Sequence, residues 1–325
     1  MKILIVTNMY PGRNHGNSTQ GIFVEEQVES IRKLNNYDID VFVIDGFRGK
    51  WSYILSVPSI LHKIRKRKYD IVHYHFGISA CSAPLVKLFT NASTVITFHG
   101  SDVMGSRLMR EISLFLAKFS DACVAVSEEI KEKVSQASAR CWVIPCAVNE
   151  VFFSASSAAS RKKWSQKIIL FPSSSLRPEK DYSLFKQVVD ILRHIYRMDV
   201  VEKHIDGLGR TDVRQLLEDA DCLLMTSHRE GSPQSVKEAM AMNLPIVSVD
   251  VGDVRYLLGD CEGTSVVNDR IPETLASEVA RLLSTESRSL GRSRLKELQY
   301  FSSDVAKKIS RIYEALMEDR SGRVG

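Results

Sequence analysis

The chain has 325 residues, 44% of them hydrophobic and 26% charged, with a formal net charge of +5. That is enough apolar content for two cores of ordinary size, and the mild basic balance is too small to argue for nucleic acid as a partner. Six cysteines without a CxxC pair exclude a disulfide-stapled scaffold, give no zinc signature, and read as small buried residues of a reducing compartment.

In chain order, "MKILIVTNMYPG" runs from a short apolar stretch straight into a turn, giving neither a signal peptide nor a spanning segment, so a cytoplasmic location is expected. β-rich runs at 2–7, 38–44, 69–75, 93–99, 121–127 and 141–145 read as buried parallel strands. Helical patterns fall between them near 22–35, 52–67, 79–89, 105–118 and 128–136. The alternation predicts a doubly wound α/β domain over 1–153, whose ligands sit beyond the carboxyl ends of the strands. Polar residues cluster at those ends: Asn8, His73, His75, His99, Asp102 and Ser127. His73 and His75 share one face of a strand but have no evident Cys, Asp or Glu partner for a metal. "DID" (38–40) is formally a DxD motif, yet it opens a strand and reads as structural. The stretch "WSYILSVPSIL" with "LHKIRKRKYD" (51–70) reads as a surface helix with a basic last turn, or as a contact with an anionic membrane surface.

The polar stretch "SASSAASRKKWSQ" (154–166) reads as a linker, after which the pattern restarts. Strands are expected at 167–171, 198–202, 221–227, 245–250 and 264–267, with helices near 181–194, 211–219, 233–242 and 271–284. These form a second domain over 167–302, and a last helix within 303–325 is a candidate to cross back to the first.

In "SHREGSPQSVKEAMAMNLPIVSVDVGD" (227–253), Ser232 suits an N-cap and Pro233 a first helical position, so a helix opens near Pro233 and its free amides attract an anion. Glu230 stands just before the cap and Glu238 about two turns in. Carboxylates repel phosphate, so these two are expected to hold hydroxyl groups. A ligand with both phosphates and hydroxyls is a nucleotide sugar.

Glu230 and Glu238, with seven residues between them after the strand "DCLLMTS", resemble the E-x7-E signature of retaining glycosyltransferase family 4. "LRPEKDY" (176–182), "VIPCAVNEVFF" (143–153), "DIVHYH" (70–75) and "TFHGSDV" (97–103) are similar to further segments of that family, in the same order. The resemblance implies the GT-B fold, an α/β architecture of two Rossmann-like doubly wound parallel-sheet domains with an interdomain cleft. It implies a metal-independent hexosyltransferase, without cofactor, that moves a sugar from a nucleotide diphosphate donor (a UDP- or GDP-sugar) to a hydroxyl acceptor. The acceptor would be a saccharide or lipid-linked saccharide of surface polysaccharide or glycolipid synthesis, with the enzyme cytoplasmic or peripheral at the inner face of the membrane. Carried over by residue, Arg177 and Lys180 neutralise the diphosphate, and Gly231, Ser232, Gln234 and Ser235 bind it at the helix start. Glu238 takes the ribose hydroxyls, Glu230 orients the transferred sugar, and His99 contacts that sugar. Gly21 and Asp102 belong to an acceptor or phosphate loop, though Asp102 suits a helix cap equally well.

Three features depart from the family pattern. Its paired glycines are here only Gly16 and Gly21, well separated; Pro233 replaces a glycine; and the second domain lacks one strand–helix unit, for which "HIDGLGR" (204–210) is the candidate stand-in. The sequence leaves two other readings open: a catalytically degenerate GT-B binding or scaffold subunit, and a nucleotide-sugar 2-epimerase.

Overall fold

A computed structural model describes residues 1–12, 19–34, 37–153, 166–285 and 287–322. The chain divides into two units, Met1–Ala147 with Ser302–Gly325, and Val148–Phe301.

In the first unit, β1 (Lys2–Thr7), β2 (Asp38–Val43), β3 (Ile71–His75), β4 (Ser93–Phe98), β5 (Ala122–Ala125) and β6 (Cys141–Val143) form one parallel sheet in the order β2-β1-β3-β4-β5-β6. β1 and β3–β5 are buried on both faces, which is why they read as continuous apolar runs. The helices are α1 (Ile22–Leu34), α2 (Trp51–Leu55), α3 (Val57–Arg67), α4 (Ala83–Phe89), α5 (Ser101–Met104), α6 (Arg107–Ala117) and α7 (Glu128–Ser135).

The second unit carries β7 (Lys167–Phe171), β8 (Val200–His204), β9 (Cys222–Met225), β10 (Ile246–Val249) and β11 (Thr264–Val267), parallel in the order β11-β10-β9-β7-β8. Its helices are α8 (Tyr182–His194), α9 (Arg210–Asp219), α10 (Gln234–Ala241), α11 (Val254–Leu258), α12 (Pro272–Ser284) and α13 (Gly291–Leu298). Strand order reverses at β1/β3 in one sheet and at β7/β9 in the other, so each has a crevice beyond its carboxyl edge at that point.

The last helix, α14 (Ser302–Ser321), belongs to the first unit. It buries Val305, Ile309, Ile312, Tyr313 and Leu316 in one cluster with Ile3, Ile5, Val24 and Val28.

Several boundaries differ from the sequence reading, each for a local reason. The first unit ends at Ala147, not 153, because the Val148 amide donates to Tyr300 O and Phe152 is buried in the core of the second unit. The expected linker 154–166 lies, apart from Gln166, outside the described residues, as does Gly16. The helix expected over 52–67 is two helices, since Pro58 at the start of α3 has no N–H to continue α2. Of the six cysteines only Cys123 and Cys222 are buried; the other four are half-buried and all are thiols. Asp38 and Asp40 of "DID" pair with Arg67, and Asp40 also accepts from the Tyr69 hydroxyl, a structural arrangement. Among the described residues no helix is long and apolar enough to cross a membrane, and no cluster of three or more His, Cys, Asp or Glu could hold a metal.

Candidate functional site

In the second unit the crevice at the β7/β9 switch is built from two loops. The first leaves β7 and tightens into a 3-10 turn, Pro178–Lys180, ended by Asp181 in the left-handed region at φ 50°. Asp181 tolerates that conformation as a short polar residue, and its carboxylate caps α8 by accepting from the Leu184 amide. Arg270 clamps the site by donating to Asp181 at 2.6 Å and to the carbonyls of Thr226 and Ser227. Burial pulls the Asp181 carboxyl up, but Arg270, the Leu184 amide and His228 together hold it below the usual carboxylate range. The Thr226 hydroxyl, at the end of β9, donates to the carbonyls of Lys180 and Asp181, so the two loops are fastened at their bases.

That fastening brings Lys180 and Glu230 together. The Lys180 ammonium donates to Glu230 Oε1 at 2.5 Å, and both side chains are only 11% exposed. Arg177 is not brought in. Its guanidinium lies on Glu179 at 2.6 Å and is more than half exposed, because a residue two positions along the same turn is its nearest carboxylate.

α10 begins at Gln234. Pro233 is extended (φ −67°, ψ 119°) and occupies the N-cap position, where no side chain makes a cap bond. The expected cap, Ser232, does not cap the helix; its hydroxyl is buried without a hydrogen-bond partner among the described residues. The loop 230–232 is held from below by Gly252 and by the Asp253 amide, which donates to Gly231 O at 3.2 Å. Burial pushes the Asp253 carboxyl up to about 6, opposed by the Lys237 charge and the Ser232 hydroxyl and reinforced by Glu230. Beyond its half-buried first two residues α10 is buried: Lys237 is fully buried, and Glu238 is 3% exposed and ion-paired with Arg210. The first turn therefore presents the amides of Gln234 and Ser235 beside a cation, with two carboxylates flanking them. That arrangement suits a ligand carrying both phosphate and hydroxyl groups.

In the first unit, His73 Nδ1 lies 2.6 Å from the Tyr313 hydroxyl and Nε2 lies 2.7 Å from the Thr97 hydroxyl. Burial, with the neighbouring His75 and His99, holds His73 well below its usual pKa, and burial takes His75 down to about 3, so both rings are neutral. His75 Nδ1 faces His99 Nε2 at 3.1 Å, while His75 Nε2 is buried without a hydrogen-bond partner. An unpaired buried N–H is rarer than an unpaired acceptor, so His75 donates from Nδ1 and His99 carries its proton on Nδ1, toward Cys146 Sγ at 3.7 Å. Phe23 and Phe76 hold the His99 ring between them at 4.9 and 4.6 Å.

Asp102 does not cap a helix; its buried carboxylate accepts from the amides of Gly77, His99 and Gly100 and so shapes the loop that carries His99. Gly21 opens α1 at φ 82°, where a Cβ would stand 2.4 Å from the Met9 carbonyl carbon. Close packing and a left-handed backbone thus account for glycine there.

Sequence reasoning missed Arg270, Lys237 and Asp253, and named Arg210 only as the last residue of the stand-in segment 204–210, where it opens a helix directly after the glycines.

The family model described as Glycosyltransferase Family 4 matches residues 13–152, and that described as Glycosyl transferases group 1 matches residues 174–285. The chain is similar to the putative teichuronic acid biosynthesis glycosyltransferase TuaC of Bacillus subtilis (strain 168), at 23% identity over 86% of this chain and 89% of that one. Among solved structures it resembles sucrose-phosphate synthase from Thermosynechococcus elongatus, with TM-score 0.77, 16% identity, and 98% and 99% of the two chains covered. It also resembles Anabaena HepE in complex with UDP, with TM-score 0.73, 14% identity, and 97% and 100% covered. At these identities the structural likeness carries the fold, the two-sheet GT-B architecture.

Proposed function

The chain belongs to glycosyltransferase family 4, and from that premise we propose that this glycosyltransferase is a retaining hexosyltransferase using a nucleoside diphosphate sugar, a UDP- or GDP-sugar, with a hydroxyl acceptor. The observation that supports this most is the Lys180–Glu230 pair beside the first turn of α10, with Glu238 on the same helix. As the sugar–phosphate bond breaks, negative charge grows on the leaving diphosphate; a fixed ammonium and helix-start amides aimed at it stabilise that charge without reorganising. Lys180 then exchanges Glu230 for phosphate, and the released Glu230 carboxylate accepts from hydroxyls of the sugar. Arg177 joins by leaving Glu179. Gly231, Ser232, Gln234 and Ser235 surround the diphosphate, and Glu238 accepts from the ribose hydroxyls. His99 donates from Nδ1 to the transferred sugar, with Asp102 and Gly21 shaping the loops of the acceptor side. The leaving phosphate takes the acceptor proton, so retention needs no covalent nucleophile, and in this reading no metal takes part.

Thermal melts with UDP, GDP, ADP, CMP and dTDP in the presence of a chelator test the donor class. A nucleotide at about 100 times its Kd is expected to add about 2.7 kcal/mol, or roughly 5–10 °C for a domain of this size. No shift with any nucleotide would remove the donor assignment. A shift without transfer would leave a binding subunit, and epimerised sugar nucleotide in the absence of acceptor would turn the reading to a 2-epimerase.

HepE is described with UDP bound and TuaC by its place in teichuronic acid biosynthesis; they support, for this chain, a uridine donor and a saccharide or lipid-linked saccharide acceptor of the cell envelope. We place the enzyme in the cytoplasm, resting on the membrane surface. Trp51 and Leu55 on α2 are 73% and 74% exposed, and Leu88 and Phe89 on α4 are exposed as well. The Arg65 guanidinium lies over Phe89 at 5.8 Å, while Lys50, Lys66 and Lys68 are exposed. Apolar side chains beside exposed cations fit an anionic bilayer. Cosedimentation with phosphatidylglycerol vesicles should exceed that with phosphatidylcholine. Lys66→Glu with Lys68→Glu should weaken it by roughly 2 kcal/mol or more, about 30-fold; equal binding to both vesicles would remove the membrane contact.

A further inference from the structure

We propose that Arg210 is the positioning residue for Glu238, so that nucleoside affinity depends on a guanidinium outside the E-x7-E helix. The inference rests on the reading that Glu238 accepts from the ribose hydroxyls. Glu238 is almost wholly buried, and a carboxylate removed from water stays ionised and fixed only if a cation and hydrogen-bond donors replace its hydration. The adjacent Lys237 sits about 100° around the helix and acts on Asp253 instead. Arg210 supplies a cation to Glu238, its Nη1 donating to Oε1.

Arg210 is itself immobilised. It occupies the first turn of α9, behind Gly207 in the left-handed region and the extended Gly209. Its guanidinium lies 5.5 Å over the ring of Phe152, which is fully buried. Phe152 ends a short 3-10 turn, Glu150–Phe152, capped by the Asn149 side chain and anchored by the Val148 amide on Tyr300 O. A planar cation stacked on a fixed ring loses little further freedom when it holds a carboxylate. Arg210 is therefore preorganised to hold the Glu238 carboxylate in one position through Oε1.

The test compares UDP and GDP with their 2′,3′-dideoxy analogues by calorimetry on the full chain, in the wild type, Arg210→Met, Arg210→Lys and Glu238→Gln. In the wild type the dideoxy compounds bind more weakly. Arg210→Met is expected to weaken the ribonucleotide about 10- to 100-fold and to leave the dideoxy analogue unchanged, because that analogue has no hydroxyl for Glu238 to accept from. Arg210→Lys, which keeps the charge, recovers part of the loss, and the Arg210→Met/Glu238→Gln double variant loses no more than the worse single one. If Arg210→Met does not fold, the Lys variant carries the test: a smaller loss confined to the ribonucleotide supports the proposal. Equal losses for ribo- and dideoxynucleotide, or none with either variant, overturn it. If the wild type and Glu238→Gln both ignore the ribose hydroxyls, the role given to Glu238 fails instead, and the Arg210 proposal falls with it.

Discussion

Glu230→Gln is expected to lower kcat by about 10²- to 10³-fold, the range for removing one group that acts on the reacting centre, while nucleoside diphosphate affinity stays equal or rises. The asymmetry follows from the pair. In the free protein Glu230 neutralises Lys180 at 2.5 Å with both side chains mostly out of water, so an incoming diphosphate must displace the carboxylate before it gains the ammonium. A neutral amide competes less well, and Lys180 is left as a buried cation in want of an anion. Lys180→Ala should do the opposite. It strands the Glu230 carboxylate beside the phosphate position, where it repels the ligand and lacks its own counter-charge. Breaking one member of such a pair costs about 3 kcal/mol, so nucleoside diphosphate Kd should rise about 100-fold. Calorimetry with the diphosphate, alongside kcat and KM for the donor, separates the two effects. Should Glu230→Gln lose diphosphate affinity in step with turnover, Glu230 belongs to the phosphate site and its assignment to the sugar is wrong.

Legibility in the sequence followed from range. The strands at 167–171 and 264–267 fall where expected because each is a short β-rich run bounded by turn residues, a local signal that survives even though β11, at the sheet edge, is only half-buried. α11 and α13 left no such trace; α13 buries little beyond Gly291 and Leu295, and it is held by Gly291, whose absent side chain lets it close on the backbone of Met240. The two glutamates were legible because their spacing is local. Their partners were not, because Arg210 lies 28 residues from Glu238 and Lys180 lies 50 from Glu230, separations that only the strand order brings to one edge. Arg177 shows the converse: the pattern pairs it with Lys180, yet in the free protein a nearer carboxylate, Glu179, holds it.

Gly252→Ala should be as damaging as a substitution inside the site, although residue 252 presents no side chain to a ligand. At φ 57° the backbone is left-handed, which costs an alanine about 1 kcal/mol. The added Cβ would also lie 2.8 Å from Gly231 O and 3.0 Å from Glu230 O. Both obstacles are backbone, so no side chain can swing aside. The segment 230–232 has to move, and with it the Glu230 carboxylate and the entry to α10. Overlap of this kind adds about 1–3 kcal/mol, giving a total near 3 kcal/mol and a fall in Tm of roughly 6–12 °C. A displacement of about 1 Å at Glu230 is enough to lower turnover about 100-fold. Gly12→Ala is the internal control, since Gly12 has a similar φ of 68° and, among the described residues, nothing within 4 Å of its would-be Cβ. It should show the backbone cost alone, with kcat unchanged. If Gly252→Ala melts and turns over like Gly12→Ala, the 250–253 loop yields freely, and the support it gives Glu230 is not what fixes that carboxylate in place.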